Sequence, residues 1–200
     1  MAALISEIYR KCIHLIGLVV PLIYWVTSKQ VILLFLGTFL FLFLISELYR
    51  IKFGIPIKEA DVYVRPLIRP QERRGVGAHV FFAGGAFVTA LAYSKDIAIA
   101  AMFLTVLADG AAAVVGRRWG RHRLIRKKTL EGTLTLFSVA IVTTTFIFIA
   151  GFRLPFYTSL MLSLAGAVAA ACIELLPIND NLTIPIAAGL AMSCARHFIF

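Results

Sequence analysis

Seven apolar runs, each roughly 17–22 residues long and separated by short polar segments, set the pattern of this chain. They cover Cys12–Thr27, Val31–Leu48, Gly77–Tyr93, Ile97–Val115, Leu134–Ala150, Pro155–Leu176 and Leu182–Phe200. Runs of this length fit helices that cross a bilayer, where every backbone polar group must be satisfied within the segment. The expected fold is therefore all-α, a polytopic helical membrane protein of about seven transmembrane helices. No repeat of fixed period and no low-complexity tract divides the chain, so residues 1–200 read as one integral membrane domain. Arg10 and Lys11 precede the first run as in a signal peptide, but no small-x-small cleavage site follows and His14 lies inside the run. The first run is expected to be retained.

Composition agrees with the pattern. The chain has 200 residues, 60% of them hydrophobic and only 15% charged. A soluble domain of this size has too little interior to hide that much apolar surface. The net charge of +10 would otherwise suggest nucleic acid, but its distribution points to topology instead. Sixteen of the twenty Lys and Arg residues fall in the N-terminal segment and the second and fourth loops. The other four, Lys29, Lys95, Arg153 and Arg196, are spread over the opposite side. By the positive-inside rule the N-terminus and the basic loops are cytoplasmic. No nucleic-acid partner is expected, and oligomeric state is left open. Nine of the ten acids, all but Asp96, follow the bases to that side. Cys12, Cys172 and Cys194 show no metal-ligand spacing and read as small buried hydrophobes.

Asp109 stands out inside the fourth run, about two turns from its cytoplasmic end. A bare carboxylate at such a depth costs at least ~2.5–3.5 kcal/mol, so it needs a cation, a metal or a proton. Ala112, Gly116 and Gly120 follow it at four-residue spacing, a small face open to a neighbouring helix or to a ligand. The loop beyond carries Arg117, Arg118, Arg121, Arg123, Arg126, Lys127 and Lys128 against one acid, Glu131. Thr129 or Thr133 would cap the next helix, whose first amides, with Gly132 among them, would favour an anion. The chain has no GxxxxGK[ST] phosphate loop.

Other polar groups belong to the same side. Arg10, Lys11 and His14 share roughly one helical face, as a snorkelling anchor or as part of a site. The second loop alternates apolar residues with bases and is broken by Pro56, Pro66 and Pro70. It reads equally as an interfacial segment and as a lid. Within it Arg73 and Arg74, beside Gly75-Val76-Gly77, are best placed for phosphate, and His79 just beyond takes no assigned role. Glu174, Asp180 and Asn181 flank the turn between the last two runs. Helix capping accounts for Asp180 and Asn181, yet four acids in one layer (Asp109, Glu131, Glu174 and Asp180) also suit a divalent-metal and nucleotide site.

The ordered set RKCIH, DGAAAVVGRRWG, KKTLEGT and DNLTIP resembles the CTP-dependent lipid kinases, the group of dolichol kinase, phytol kinase and the yeast-type diacylglycerol kinases. That group is in turn related to the phosphatidate cytidylyltransferases. The resemblance spans nearly the whole chain. It implies roles for Arg10, Lys11, Asp109 and Gly116. It also aligns Lys128, Glu131 and Gly132 with a KS-x-EGS-like segment in which Thr129 and Thr133 replace the usual serines. The Lys-, Asp-, Pro-, His- and Gly-rich C-terminal signature of the cytidylyltransferases has no counterpart here.

The expected activity is transfer of the γ-phosphate of CTP to the hydroxyl of a lipid alcohol, at the cytoplasmic side of an integral membrane protein. Polyprenol- or dolichol-like isoprenoid alcohols and diacylglycerol are the candidate acceptors. Asp109, Glu131 and Asp180 are the candidate catalytic acids and the candidate holders of Mg²⁺ or another divalent cation. Arg10, Lys11, Arg117, Arg118 and Lys128 are the candidate phosphate-neutralising bases. A CDP-lipid synthase on the same scaffold is the alternative. A small transporter is a third reading, and it predicts acids spread through the membrane depth together with inverted repeats.

Overall fold

The computed structural model describes residues 15–53, 76–125 and 128–199. Arg10, Lys11, His14 and Arg74, with most of the second loop, lie outside these residues. The described chain is helical: α1 (Val19–Val26), α2 (Lys29–Phe53), α3 (Ala78–Ala92), α4 (Lys95–Arg118), α5 (Leu130–Phe146), α6 (Phe156–Glu174) and α7 (Asp180–Ile199). A π-helical turn, Ile147–Gly151, continues α5. The one β-type pairing among the described residues is an isolated bridge between Arg123 and Thr129.

Five of these helices (α2, α4, α5 with its π-helical turn, α6 and α7) are long and apolar enough to cross a membrane. The protein is an integral membrane protein. Each helix falls on one of the expected runs, and the differences lie at the polar ends. Helix α2 continues to Phe53 and takes Arg50 into its last turn, and α4 continues to Arg118. Helix α5 starts at Leu130, so Glu131, Gly132 and Thr133 occupy its first turn. Long basic side chains can leave the apolar layer while their backbone stays helical, so the hydropathy boundary underestimates the helix.

Helix α4 is the centre. Its Ala98, Ile99, Ala100, Ala101, Leu104, Val106 and Ala108 are wholly buried. It packs on α1, α3, α5 and α7. Its many alanines let neighbouring helices approach closely, which is how membrane helices gain packing contacts without a hydrophobic drive between them. The outward faces of α2 and α7 show the opposite: Leu34, Phe41, Leu48, Leu190 and Phe198 are exposed, as suits contact with lipid. Cys172 and Cys194 are also exposed on this outer surface rather than buried. In a membrane bundle a small apolar side chain costs nothing facing out.

A proline sets the crossing of α7 with α3. Pro185 has no N–H to give the Asn181 carbonyl one turn earlier. That carbonyl points at Gly85 of α3, so closely that a Cβ there would collide with it. Gly85 is thus fixed by the backbone of its neighbour, and the start of α7 is pinned against α3.

Candidate active site

The site is built at the end of the bundle where α4 finishes and α5 and α7 begin. Asn179 performs the capping at the start of α7. Its Oδ1 accepts from the Asn181 amide at 3.1 Å and its carbonyl from the amides of Leu182 and Thr183 at 3.0 and 3.1 Å. Asp180 is thereby released from capping, and its carboxylate takes the Lys128 ammonium at 2.8 Å.

The same ammonium donates to Glu174 at 2.9 Å, and Glu174 accepts from the Thr133 hydroxyl at 3.1 Å through its other oxygen. Glu174 is 3% exposed, so both lone-pair directions are answered by fixed partners. Burial alone would pull the Lys128 ammonium down. The Asp180 carboxylate, followed by Glu174 and Asp109, instead carries it above the usual lysine range. Asp109, 7% exposed, lies near enough for its charge to act on both Lys128 and Asp180. Asp109, Lys128, Glu174 and Asp180 therefore form one charged centre drawn from α4, the following loop, α6 and α7.

Glu131 does not join it. Its carboxylate holds His122, accepting from the backbone amide at 3.2 and 3.3 Å and lying 2.8 Å from Nδ1. With Leu130 N–H bonded to the His122 carbonyl at 2.8 Å, this closes the basic loop into a compact hairpin. Glu131 is a loop latch in this arrangement.

The other loop expectations are also redistributed. Thr129 is the cap of α5, its hydroxyl accepting from Gly132 N–H at 3.2 Å, while Thr133 serves Glu174. The amides of Leu130, Gly132 and Thr133 are all bonded within the loop and first turn, so they do not offer an anion cradle. The small face is consumed by packing. A Cβ on Gly132 would lie 3.1 Å from the Ala112 carbonyl, and one on Gly116 would lie 2.9 Å from the Thr129 hydroxyl. Gly116 thus lets α5 sit against α4 and carries Thr129 and Lys128 to the acids. Arg117 and Arg118 are exposed at the end of α4, Arg118 stacked over Trp119 at 5.3 Å. Phosphate at this end would be met by side chains rather than by backbone.

Among the described residues no three His, Cys, Asp or Glu side chains stand together as a protein-only metal cage. A hard divalent cation shared with a triphosphate needs less: one or two carboxylates, the remaining positions going to phosphate oxygens and water. Asp109 and Asp180 fit that requirement.

The chain is 28% identical to the CTP-dependent diacylglycerol kinase 1 of Saccharomyces cerevisiae, covering 94% of this chain and 72% of the relative. The chain is related to the CTP-dependent lipid kinases. It is also 29% identical to the phytol kinase of a Synechocystis species, over 92% of this chain and 78% of that one. An uncharacterized protein of Rickettsia prowazekii matches at 26% identity over 95% of each chain. No family model matches, and no solved structure matches.

Sequence reasoning isolated Asp109, Lys128, Glu174 and Asp180 singly, because each is a charged residue at the edge of an apolar run. It gave no role to the buried Glu47 of α2 or to its neighbour His79. Glu47 is the next-to-last residue of its apolar run, where an acid reads as the edge of a loop, and the extension of α2 to Phe53 places it well inside the helix.

Proposed function

We propose that this protein is a single-domain membrane kinase that moves the γ-phosphate of CTP to the hydroxyl of a lipid alcohol. All seven helices cross the bilayer in this reading, the N-terminus is cytoplasmic, and the Asp109–Asp180 end faces the cytoplasm. The observation that carries it is the charged centre itself: two carboxylates and a shared ammonium at the mouth of an otherwise apolar bundle. Relatives named as CTP-dependent diacylglycerol kinase and phytol kinase support the same chemistry and supply the acceptor class, an alcohol on a hydrocarbon body.

Asp109 and Asp180 would hold a divalent cation, Mg²⁺ by preference, which when bound neutralises charge on the triphosphate oxygens. The Lys128 ammonium has three donors. Two are given to Glu174 and Asp180, and the third is left for a phosphate oxygen. Glu174, held by Thr133, fixes where that ammonium stands, so the charge is organised before the nucleotide arrives. The exposed Arg117 and Arg118 draw the nucleotide to this end.

The test is purified protein in lipid nanodiscs with CTP labelled at the γ-phosphate and a panel of prenols, phytol and diacylglycerol. A labelled monophosphate lipid is expected. Asp109→Asn should lower kcat by about 100- to 1000-fold while the protein keeps its thermal transition. Release of pyrophosphate with a CMP-bearing lipid, or no phosphorylated lipid from folded protein, would overturn the reading.

A further inference from the structure

A second polar centre lies at the same end of the bundle, between α2 and α3. Glu47 is buried and already answered by Arg50, whose Nη2 is 2.5 Å and Nε 3.1 Å from its Oε2. Its other oxygen, Oε1, faces His79 Nε2 at 3.4 Å. Glu47 is therefore neutralised without the imidazole, and the longer contact serves to orient the ring. A carboxylate facing Nε2 favours the tautomer with the proton on that nitrogen and the basic lone pair on Nδ1.

Nδ1 has no hydrogen-bond partner among the described residues. It lies over Gly77, where an added Cβ would sit 2.7 Å from it. Phe43 holds the ring edge-on at 4.9 Å between centroids. The imidazole is 45% exposed, so a hydroxyl can reach the ring and donate to it.

Helix register brings His79 level with Asp109. Phe82 and Ala86 of α3, Met102 and Thr105 of α4, and Asn181 and Pro185 of α7 line one small pocket, about 10 Å³ in volume. Thr105 turns its hydroxyl back to the Ala101 carbonyl at 2.8 Å and gives the pocket a methyl, so its walls are apolar. His79, Phe82 and Ala86 share a stripe on α3, as Met102, Thr105 and Asp109 share one on α4. One turn toward the polar end, at about 1.5 Å per residue, His79 lies about 4.5 Å beyond Phe82 and Asp109 about 6 Å beyond Thr105. Asp180 adjoins Asn181 at the same depth. By this register the acid pair and the imidazole both stand about one turn beyond the apolar pocket, toward the polar end.

We propose that His79, oriented by Glu47, is the base that receives the proton of the acceptor hydroxyl, the reacting carbon of the alcohol resting against the pocket. This deepens the kinase reading above and rests on it. The hydroxyl oxygen forms a bond to the γ-phosphorus as the bond from that phosphorus to the β,γ-bridging oxygen breaks. CDP leaves with the electron pair, and the hydroxyl proton passes to Nδ1. Of the ionisable groups, Glu47 of α2 faces the imidazole and carries Arg50 on its other oxygen, while Asp109 of α4 and Asp180 of α7 stand at about the same level by helix register.

The experiment compares the wild-type protein, His79→Gln, Glu47→Gln and Gly77→Ala in nanodiscs. It measures kcat against pH with saturating CTP and alcohol, CTP binding by equilibrium dialysis, and thermal unfolding. His79→Gln is expected to lose about 100-fold or more in kcat, and with it the acidic limb of the pH profile, while CTP binding and unfolding stay near wild type. Glu47→Gln should lose about tenfold and move that limb. Gly77→Ala, which displaces the ring without removing it, should fall between wild type and His79→Gln. The proposal is overturned if His79→Gln keeps kcat and pH profile within about twofold of wild type. A loss of CTP binding and thermal stability in proportion to kcat overturns it equally. A wild-type protein that phosphorylates no alcohol defeats the kinase reading itself, a result visible before any variant is made.

Discussion

The two ends of this bundle use their charges differently. At the end away from the charged centre, Lys29, Lys95 and Arg196 each close a contact. Lys29, at the start of α2, donates to the Leu91 and Tyr93 carbonyls at 2.9 and 3.2 Å, capping the end of α3. Lys95, at the start of α4, donates to the Trp25 and Thr27 carbonyls at 2.9 and 2.8 Å, capping the end of α1. Arg196 pairs with Asp96 and Ser94. Ammonium groups on helix-terminal carbonyls satisfy orphan acceptors and complement the helix dipole. At the other end one ammonium, Lys128, is divided between two carboxylates with a third, Asp109, close by. The first arrangement secures helix ends, and the second concentrates negative charge that a cation or phosphate chemistry can use.

The contrast breaks most visibly at Lys128. Lys128→Met leaves Glu174 and Asp180 without their shared cation. Activity should fall by about 100-fold or more. Stability should fall by about 2 kcal/mol, below the ~3–5 of a fully buried pair because the lysine side chain is 30% exposed. Adding Glu174→Gln to Lys128→Met should restore much of the thermal stability and none of the activity. A double variant that recovers both would reduce Lys128 to a structural pair like those at the opposite end.

The same lysine sets a pH expectation. Its ammonium is held above the ordinary value of 10.5 in the folded protein. A raised folded value contributes stability that is complete below the unfolded value and lost as pH climbs through the folded one. The stability difference between wild type and Lys128→Met should therefore stay constant from neutrality to about 10.5, then shrink above it. Thermal unfolding of both proteins across that range is the measurement. Shrinkage beginning near neutrality would mean that Lys128 is not shared as described.

How far the sequence foretold this contrast depends on the kind of contact. The helices were legible because lipid demands long apolar runs, whatever their partners. Asp109 was legible because a carboxylate in such a run must have a reason. Partner choice was not. Glu131 stands three residues from Lys128 in the sequence, yet the hairpin turns it to His122, while Lys128 reaches acids 46 and 52 residues away. The four-residue spacing of Ala112, Gly116 and Gly120 announced a close approach but not that Thr129 and Gly132 would fill it. A fit made of backbone on two helices leaves only half its signature on each. Gly120→Ala tests that fit, since its Cβ would meet the Gly116 carbonyl and lie 2.6 Å from Thr129 Cγ2. We expect a loss of about 1–3 kcal/mol in unfolding. Activity should fall with it as the Lys128 loop shifts.

Arg196→Ala supplies the counterweight. It removes an ion pair of the same formal kind as the one at Lys128, from the end where the acid has no second duty. Asp96 has the Ser94 hydroxyl nearby and is partly open to solvent, so the stranded charge is moderated. The expected cost is about 1 kcal/mol in thermal unfolding, with kcat and CTP binding unchanged. An equal loss of activity in Arg196→Ala and Lys128→Met at matched stability would show that kcat follows the integrity of the whole bundle. A loss confined to Lys128→Met locates the chemistry at the end where the charges are unevenly shared.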